Sequence, residues 1–332
     1  MTAQTKKVPV RTKLFAHLET MRPYTVIWCG LVSLAGACLS WGRLPPVDIA
    51  ILSLIIPIMG WIAGLYLSDY LDRDLDVIEK PHRPIPSGRI KPHEALIVGG
   101  IYASIGAIFS MYLGIRNFGL VFIVAVLVLT YTSIAKSKGF LGHINRGFVT
   151  VAAYVYGIFT VPVELEAIPF YIWFLAIVFL FHDANSNLVG AIRDIEGDKK
   201  GGYQTIPVKY GLNKSIILSA LLTAIWFPIA LILPLQYNFV NQYYYYLILI
   251  DVVILLSFYS FSIWSIKSYS RKKALKYHEF FVIERITLAS AFIIGSTTLP
   301  IGISIYVTTL VLTILFQIIL RSRYEFKDGT QQ

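Results

Sequence analysis

Ten stretches of about twenty mostly apolar residues follow one another along this chain, and no other feature limits its fold as strongly. An α-helix rises about 1.5 Å per residue, so about twenty apolar residues are needed to cross a hydrocarbon core roughly 30 Å thick. Hydrophobic residues make up 56% of the chain and charged residues only 14%, which is unlike a soluble domain. We therefore predict an all-α, polytopic membrane helical bundle of nine or ten transmembrane helices. The predicted spans are 24–42, 49–68, 94–113, 118–134, 147–163, 169–190, 215–235, 243–265, 280–298 and 301–320.

Lysine and arginine side chains separate sharply between the two ends of the predicted spans. All but three of the 29, namely Arg43, Arg116 and Arg285, lie before the first span, after the last span or in loops on the same side as the termini. Because basic loops stay on the cytoplasmic side of a membrane, both termini and every long loop are predicted to be cytoplasmic, with a bacterial cell membrane as the expected location. The net charge of +10 follows from this orientation and from attraction to anionic lipid, so no nucleic-acid partner is indicated.

An acidic cluster follows the second span directly. At about 100° per residue, Asp69, Asp72 and Asp76 fall within roughly 60° of one another on a helix, whereas Asp74 points away. Like charges at this spacing repel by roughly a few tenths of a kcal/mol per pair, unless a cation lies between them. Carboxylate oxygens on one face suit Mg²⁺, which shares its remaining positions with water and with substrate phosphate oxygens. A solvated acidic helix end is the alternative interpretation of this cluster taken alone.

A second set of polar groups extends from inside the sixth span to its end. With Asp183 as the reference, Asn187, Asp194 and Asp198 lie at about 40°, 20° and 60° around a helix, so the four share one stripe. An acid within a span is costly and is a functional candidate by default. For Asp183 the alternative is a structural pairing with His182 or with a backbone group.

The two acidic clusters occupy corresponding points of an internal repeat. Asp69 and Asp194 are 125 residues apart with four spans between them, so both emerge on the same side. Each cluster precedes a loop containing Pro and Gly, at 81–88 and at 201–207. Two such faces across one cavity would hold about two or three metal ions around a diphosphate. The predicted divisions are a basic segment at 1–23, a domain at 24–320 with two parallel four-helix halves (about 24–134 and 147–265) around a central cavity and terminal helices at 280–320, and a cytoplasmic tail at 321–332.

The motifs around both clusters resemble those of the UbiA-type superfamily of intramembrane prenyltransferases, over about residues 20 to 300. That family has a first signature, N-D-x-x-D-x-x-x-D with K-P-x-R-P-x-P-x-G, and a second, R-D-x-E-x-D with G-x-x-T/S-x-P-V-x-x-G. A connection after the fourth span, with Tyr131, Lys136 and Lys138, is a third similarity. Ser68 departs from the usual Asn, and the tenth predicted span is one more than the nine typical of the family. The matching residues are Ser68, Asp69, Asp72, Asp76, Lys80, Pro81, Arg83, Pro84, Pro86 and Gly88 in the first signature, and Arg193, Asp194, Glu196, Asp198, Gly202, Thr205, Pro207, Val208 and Gly211 in the second.

The resemblance implies an Mg²⁺-dependent enzyme that binds a prenyl diphosphate at the cytoplasmic end of a central cavity. Departure of diphosphate leaves an allylic carbocation, so the site must stabilise a leaving trianion. We expect Lys136 rather than Lys138 to contact the diphosphate, since Lys136 lies nearer the membrane. The implied metal ligands are Asp69, Asp72, Asp76, Asp194 and Asp198, which together with Tyr131 form the implied catalytic set. The implied substrate-binding residues are Ser68, Arg73, Lys80, Arg83, Lys136, Lys138, Asn187 and Lys199.

Two further roles follow from the implied chemistry. Aromatic faces stabilise cations, so tyrosines in or near the spans are candidates for shielding the allylic carbocation. The acceptor must also lose a proton, for which the departing diphosphate, Glu196 and Asp183 are alternatives. The candidate tyrosines are Tyr66, Tyr70, Tyr131, Tyr154 and Tyr156.

Three functions are compatible with such a site. The preferred one is transfer of a prenyl group to an aromatic acceptor, as in quinone or meroterpenoid biosynthesis. A membrane terpene cyclase would use the same site without an acceptor. A transporter is the third, because repeats and intramembrane acids also occur in transporters. Transporters bind their substrates near the bilayer midplane, whereas both clusters here lie at helix ends, so the transporter is the least favoured.

Overall fold

The computed structural model describes residues 9–325 and consists of helices, with no strand in that range. Residues 1–8 and 326–332 of the two predicted terminal segments lie outside it. A π-helical turn at Tyr131–Ala135 extends α6, and another at Gln317–Arg321 extends α14. The helices are α1 (Val10–Met21), α2 (Pro23–Trp41), α3 (Val47–Leu71), α4 (Arg73–Glu79), α5 (Pro92–Leu113), α6 (Ile115–Thr130), α7 (Phe140–Thr160), α8 (Phe170–Phe174), α9 (Ala176–Arg193), α10 (Ile195–Lys200), α11 (Ile206–Tyr237), α12 (Tyr243–Ser265), α13 (Arg271–Gly295), α14 (Leu299–Phe316) and α15 (Ser322–Glu325).

The long helices confirm the predicted all-helical membrane bundle. Within the described range, eight helical stretches are long and apolar enough to cross a membrane. Two further long helices, α7 and α13, are more polar and contain buried groups such as Asn145 and Glu284. Their polar side chains face other helices and the interior, so they need less lipid-facing apolar surface than the other spans.

Three helices begin well before the apolar segments that predicted them. Helix α7 begins at Phe140, α11 at Ile206 and α13 at Arg271, each seven to nine residues earlier than predicted. The added turns contain basic or polar residues such as His143, Lys209 and Arg271, and backbone hydrogen bonding continues through them beyond the apolar part of each helix. In α11 the early turns are separated from the rest by Gly211, whose φ of 80° interrupts the helix.

Helix α2 lies at the centre of the bundle and packs against α3, α7 and α13. Trp28 on α2 is fully buried. A Cβ atom added at Gly157 would lie 1.7 Å from the carbonyl oxygen of Ser33, and one at Gly36 would lie 2.3 Å from that of Tyr154. Small residues that let helix backbones approach closely are typical of membrane interfaces, and here they fix α2 against α7.

Both acidic clusters lie at one end of the bundle, which we call the charged end, formed by residues 68–83 and 193–205. The long helices α3 and α9 are each followed by a short helix, and the breaks fall at Asp72 (φ −81°, ψ −3°) and Asp194 (φ −96°, ψ 10°). The prediction of one straight helix through the first cluster is therefore wrong, because the helix breaks at Asp72. The N–H groups of Asp72 and Asp76 still donate to carbonyls four residues earlier, at 2.8 and 2.9 Å, so the angular spacing changes little.

Both terminal segments also pack on the charged end. Helix α1, which was not predicted, is joined to the bundle by the ion pairs Lys13–Glu94 at 2.6 Å and Glu19–Arg89 at 2.7 Å. At the other terminus, Tyr324 and Glu325 of α15 are buried. The predicted tail therefore begins with residues that belong to the folded bundle.

Candidate active site

A cavity of about 610 Å³ connects the charged end with the apolar interior between α3, α5 and α6. Its charged part receives side chains from both acidic clusters. Its apolar part is lined by residues such as Ile56, Leu120 and Val128. The predicted site residues in the lining are Ser68, Asp72, Asp76, Lys80, Arg83, Tyr131, Lys136, Asn187, Asp194 and Asp198.

Asp72 and Asp76 of the first cluster are each held by a cation from another element. Lys136 Nζ lies 2.6 Å from Asp72 Oδ2, and the Ser68 hydroxyl lies 3.4 Å from the same oxygen. Arg83 donates from Nη1 to both oxygens of Asp76, at 3.1 and 2.8 Å. Burial alone would lower the pKa of Lys136, but the neighbouring Asp72 carboxylate raises it above its ordinary value. Lys136 therefore stays charged in the cavity.

Asp69 does not line the cavity, although the resemblance implied that it is a metal ligand. Its side chain is buried and accepts hydrogen bonds from Arg22 and Tyr324. The Tyr324 hydroxyl lies 2.9 and 3.1 Å from the two carboxylate oxygens. In this arrangement Asp69 holds two neighbouring side chains and offers no oxygen to the cavity.

Asp194 and Asp198 supply the carboxylates of the second cluster. Arg193 Nη2 lies 2.6 Å from Asp194 Oδ2, and Lys80 Nζ, from the loop after the first cluster, lies 3.6 Å from Asp194 Oδ1. Although burial opposes it, these two cations hold the pKa of Asp194 well below its usual range. The Thr205 hydroxyl donates to Asp198 at 3.1 Å, and burial, followed by the charge of Asp194, raises the pKa of Asp198 to about 7. The Lys80 contact brings the two clusters together, as the repeat predicted.

Tyr131 and Asn187 lie next to each other in the cavity wall. The Asn187 amide donates to the Tyr131 hydroxyl at 3.0 Å, and Asn187 Oδ1 lies 2.7 Å from His143 Nδ1. The Asn187 side chain thus orients both Tyr131 and His143. These three residues form a polar surface between the second cluster and the apolar passage.

Asp183 lies farther inside, about 16 Å along α9 from the second cluster by helix rise. Arg146 Nε lies 3.2 Å from Asp183 Oδ2. Arg285 lines the same part of the cavity and is 3% exposed, and its Nε and Nη2 atoms have no hydrogen-bond partner in the described part of the chain. The suggested pairing of Asp183 with His182 is wrong, because His182 Nε2 lies 2.6 Å from Glu284.

Several candidates lie outside the lining. Lys138, Lys199 and Glu196 are exposed, and the Arg73 guanidinium lies 4.3 Å from the centre of the Tyr70 ring, on the surface side. Of the two lysines between α6 and α7, only Lys136 faces the cavity, in agreement with the expectation. Of the candidate tyrosines, Tyr131 and Tyr156 line the cavity and Tyr66, Tyr70 and Tyr154 do not.

Several charged or aromatic lining residues were absent from the predicted set, among them Arg22, Arg193, Tyr203, Arg285 and Glu325. Arg193 stands in the second signature and was available from the motif. Arg285 was visible as a lone cation inside a predicted span. Arg22, Tyr203 and Glu325 carried no local signal, because their positions depend on long-range packing.

The carboxylates that face the cavity fit Mg²⁺ bound together with a diphosphate. Among residues 9–325, no three acidic, histidine or cysteine side chains come close enough to surround one ion. Mg²⁺, however, commonly takes one or two carboxylates and fills its other positions with water and substrate phosphate oxygens. Asp72 with Asp76, and Asp194 with Asp198, provide two pairs of hard oxygen donors on one cavity.

Comparison with known proteins relates the chain to prenyltransferases at the level of both sequence and structure. A sequence model of the UbiA prenyltransferase family matches residues 28–284. Digeranylgeranylglyceryl phosphate synthase of Pyrococcus horikoshii is 28% identical over 284 residues, covering 85% of this chain and 98% of that protein. A solved structure of digeranylgeranylglyceryl phosphate synthase in membranes is 25% identical with a TM-score of 0.63, covering 86% and 98% of the two chains. A UbiA homologue from Archaeoglobus fulgidus bound to GPP and Mg²⁺, 18% identical, has the same fold with a TM-score of 0.60 over 84% of this chain and 99% of that chain.

Proposed function

Because the chain belongs to the UbiA prenyltransferase family, we propose that it transfers a prenyl group from a prenyl diphosphate to an acceptor that carries an acidic group. The observation that supports this most directly is the cavity, which joins paired carboxylates and cations at one end to an apolar passage. A prenyl diphosphate has the same division into a charged head and a hydrocarbon tail. Its head would lie between the two clusters and its tail between α3, α5 and α6.

The charged end has the groups needed to hold a leaving diphosphate. Lys136, Arg83 and Lys80 line the cavity and now contact carboxylates. Phosphate oxygens would take over those contacts, which frees the carboxylates to bind cations. When bound, Mg²⁺ supplies the positive charge that stabilises the departing diphosphate. The residues that would hold it are Asp72, Asp76, Asp194 and Asp198.

The apolar passage would shield the allylic carbocation from water. Its walls include Ile56, Leu120, Val124 and Val128, none of which offers a nucleophile. Tyr131 stands between this passage and the second cluster, where an aromatic face stabilises positive charge. The acceptor proton would pass to the diphosphate or to Asp183, since Glu196 is exposed and outside the lining.

The inner cations support an acidic acceptor. Arg146 and Arg285 both line the cavity beside a single carboxylate, Asp183, so this region has an excess of positive charge. A buried guanidinium group with unused donors favours a planar or tetrahedral anion. A carboxylate or phosphate on the acceptor would bind there while the diphosphate occupies the charged end. A terpene cyclase needs no acceptor, so it would leave these cations without a role.

Two acceptors fit this description. The aromatic acceptor expected from the sequence fits if it is a carboxylated phenol. A prenylated glyceryl phosphate is the second, and the similarity to digeranylgeranylglyceryl phosphate synthases favours it. In both cases an oxygen or ring carbon of the acceptor attacks the allylic carbon, the C–O bond to diphosphate breaks with its electron pair, and the acceptor loses one proton.

Product analysis tests the proposal. Purified protein would be incubated with Mg²⁺ and geranyl, farnesyl or geranylgeranyl diphosphate, together with 4-hydroxybenzoate, phenol, geranylgeranylglyceryl phosphate or geranylgeranylglycerol. We expect diphosphate release and a prenylated product only with one of the two acidic acceptors. Hydrocarbon formation without an acceptor would instead identify a cyclase, and absence of Mg²⁺-dependent diphosphate release with every substrate would refute the proposed activity.

Kinetics of one variant would locate the acceptor site. Arg285→Met removes one of the two inner cations and leaves an unbranched apolar side chain in its place. We expect the KM for the acidic acceptor to rise about tenfold or more, because hydrogen bonds to charged groups are lost, with little change in the KM for prenyl diphosphate. An equal rise for both substrates would argue against an acceptor site at Arg285.

We also propose that the charged end faces the cytoplasm. The proposal rests on the basic loops at this end. Ser87, in the loop after the first cluster, is exposed and therefore suitable for labelling. Ser87→Cys should react with a membrane-impermeant thiol reagent in inverted vesicles and not in intact cells. Labelling of this cysteine from outside intact cells would show that the charged end faces outward and would contradict the proposal.

A further inference from the structure

The chain returns to the charged end after its last long helix. There α15 places Tyr324 and Glu325 against the two acidic clusters, with 1% and 3% of their surfaces exposed. Buried polar side chains are almost always paired, so the partners of these two residues show what holds α15 in place.

Tyr324 contacts the first cluster. Its hydroxyl donates to both oxygens of Asp69, at 2.9 and 3.1 Å, and accepts from Arg22. The guanidinium carbons of Arg22 and Arg83 lie 4.2 and 4.3 Å from the ring centre. Its backbone carbonyl is 3.0 Å from His82 Nε2. The ring therefore fixes two arginines, both of which line the cavity.

Glu325 contacts the second cluster. Its carboxylate lies 3.0 Å from Arg193 Nη1 and 3.3 Å from Arg271 Nη2. Arg193 also binds Asp194, so Glu325 orients a cation that the second cluster uses. Burial opposes ionisation of Glu325, but Arg193 and the neighbouring cations lower its pKa to about 2, and the ion pair persists at neutral pH.

We propose that Tyr324 and Glu325 are positioning residues for the prenyl diphosphate site, forming a cap that joins the two clusters and keeps water out of the charged end. The inference rests on the proposed function. Tyr324 holds Arg22 and Arg83 in place from one side, and Glu325 holds Arg193 from the other. Adjacent residues in one short helix thereby set the spacing of cations that would contact one diphosphate.

The cap has a chemical consequence. After the C–O bond breaks, the electron pair leaves with diphosphate and the allylic carbon takes a new pair from the acceptor. Water that enters the charged end can supply that pair instead, lose a proton and give a prenyl alcohol. A missing cap should therefore increase alcohol formation relative to acceptor prenylation.

Two truncations provide a matched comparison. Stopping the chain after Glu325 removes only residues 326–332, whereas stopping it after Arg323 also removes the cap. We expect the shorter chain to have a KM for prenyl diphosphate about tenfold higher and a ratio of prenyl alcohol to prenylated acceptor about tenfold higher than the longer one. The point variant Tyr324→Phe keeps the ring and loses the hydroxyl, and we expect about a threefold to tenfold rise in the same KM and a higher ratio of prenyl alcohol to prenylated acceptor, with folding retained.

The outcomes separate the cap from the activity itself. Equal KM values and equal product ratios in both truncations and in Tyr324→Phe would refute the cap. A rise in kcat/KM on truncation after Arg323 would also refute it, because α15 would then obstruct the site. If the wild-type chain releases no diphosphate with any acceptor, the proposed function fails instead.

Discussion

The two acidic clusters share a local design but differ in how their charges are balanced. Each begins at the end of a long helix, breaks at Asp72 or Asp194 and continues into a short helix. In the first cluster, both carboxylates that line the cavity are paired with cations from outside the helix. In the second, Asp194 is paired with its neighbour in sequence, Arg193, and with Lys80, whereas the Asp198 side chain accepts a hydrogen bond from the neutral Thr205 hydroxyl.

This difference indicates that the repeat positions the carboxylates, whereas non-repeated parts of the chain balance their charges. Lys136, which pairs with Asp72, comes from the turn between α6 and α7, and Arg22, which pairs with Asp69, comes from the junction of α1 and α2. At Asp72, Asp76 and Asp194 a metal ion must compete with a cation. At Asp198 it need only displace a proton. We therefore expect the second cluster to govern Mg²⁺ binding and the first to respond mainly to the diphosphate.

The largest effect should come from removing one carboxylate of either pair. Asp72→Asn and Asp194→Asn each keep side-chain volume at the charged end and remove a negative charge, so kcat should fall about a hundredfold or more with folding retained. Asp74→Asn is the matched control, because the Asp74 side chain is 86% exposed on the opposite face. Diphosphate release assays on the three variants measure this. Comparable losses at Asp74 and Asp72 would contradict the assignment of the cavity face.

Removing a cation next to the first cluster should have the next largest effect on activity. Lys136→Met should raise the KM for prenyl diphosphate and lower kcat, together reducing kcat/KM about tenfold to a hundredfold, because the ammonium group binds substrate and leaving group alike. Lys138→Met is the control, since Lys138 is exposed outside the cavity. Steady-state kinetics with varied prenyl diphosphate distinguish them. Small and equal effects would mean that this turn contributes charge to the surface only.

Asp69→Asn should have a smaller effect on catalysis and a clear effect on stability. The variant leaves Arg22 without its buried ionic partner, which is destabilising, while no cavity carboxylate is lost. We expect kcat/KM to fall about tenfold, with a lower thermal unfolding midpoint and an unchanged Mg²⁺ requirement. If the concentration of Mg²⁺ needed for half-maximal activity rose as much as in Asp72→Asn, Asp69 would be a metal ligand as the resemblance implied.

The smallest effect should be a pH dependence of Mg²⁺ activation. Burial and the neighbouring Asp194 raise the pKa of Asp198 to about 7, so this acid gains a proton as the pH falls through that value. Metal binding requires the ionised form. The Mg²⁺ concentration for half-maximal activity should therefore be several-fold higher at pH 6 than at pH 8. A constant value across this range would show that Asp198 does not take part.

Local patterns in the sequence were enough to predict the paired carboxylates, the outward position of Asp74 and the choice of Lys136. These features depend on helix angles and on distance from the membrane edge, which are local properties. The withdrawal of Asp69 from the cavity depends on Arg22 and Tyr324, which are 47 and 255 residues away. No local pattern encodes such contacts, so the cap formed by α15 was equally unforeseen.

The ends of several helices could not be predicted from hydropathy alone. Helix α13 begins at Arg271 with basic residues, and Glu284 in its interior is buried. Hydropathy detects the part of a helix that faces lipid, whereas α7 and α13 turn polar side chains toward other helices. Arg285, which that polar face presents to the cavity, was visible as a charge but not as part of a site.

We propose that both acidic clusters act on one diphosphate. Diffraction from crystals grown with Mn²⁺ and a non-reactive prenyl thiodiphosphate would test it directly, because Mn²⁺ scatters anomalously. We expect anomalous peaks beside Asp72 and Asp76 and beside Asp194 and Asp198, with one diphosphate between them and its tail in the apolar passage. Metal at only one cluster, or a diphosphate bound outside this cavity, would contradict it.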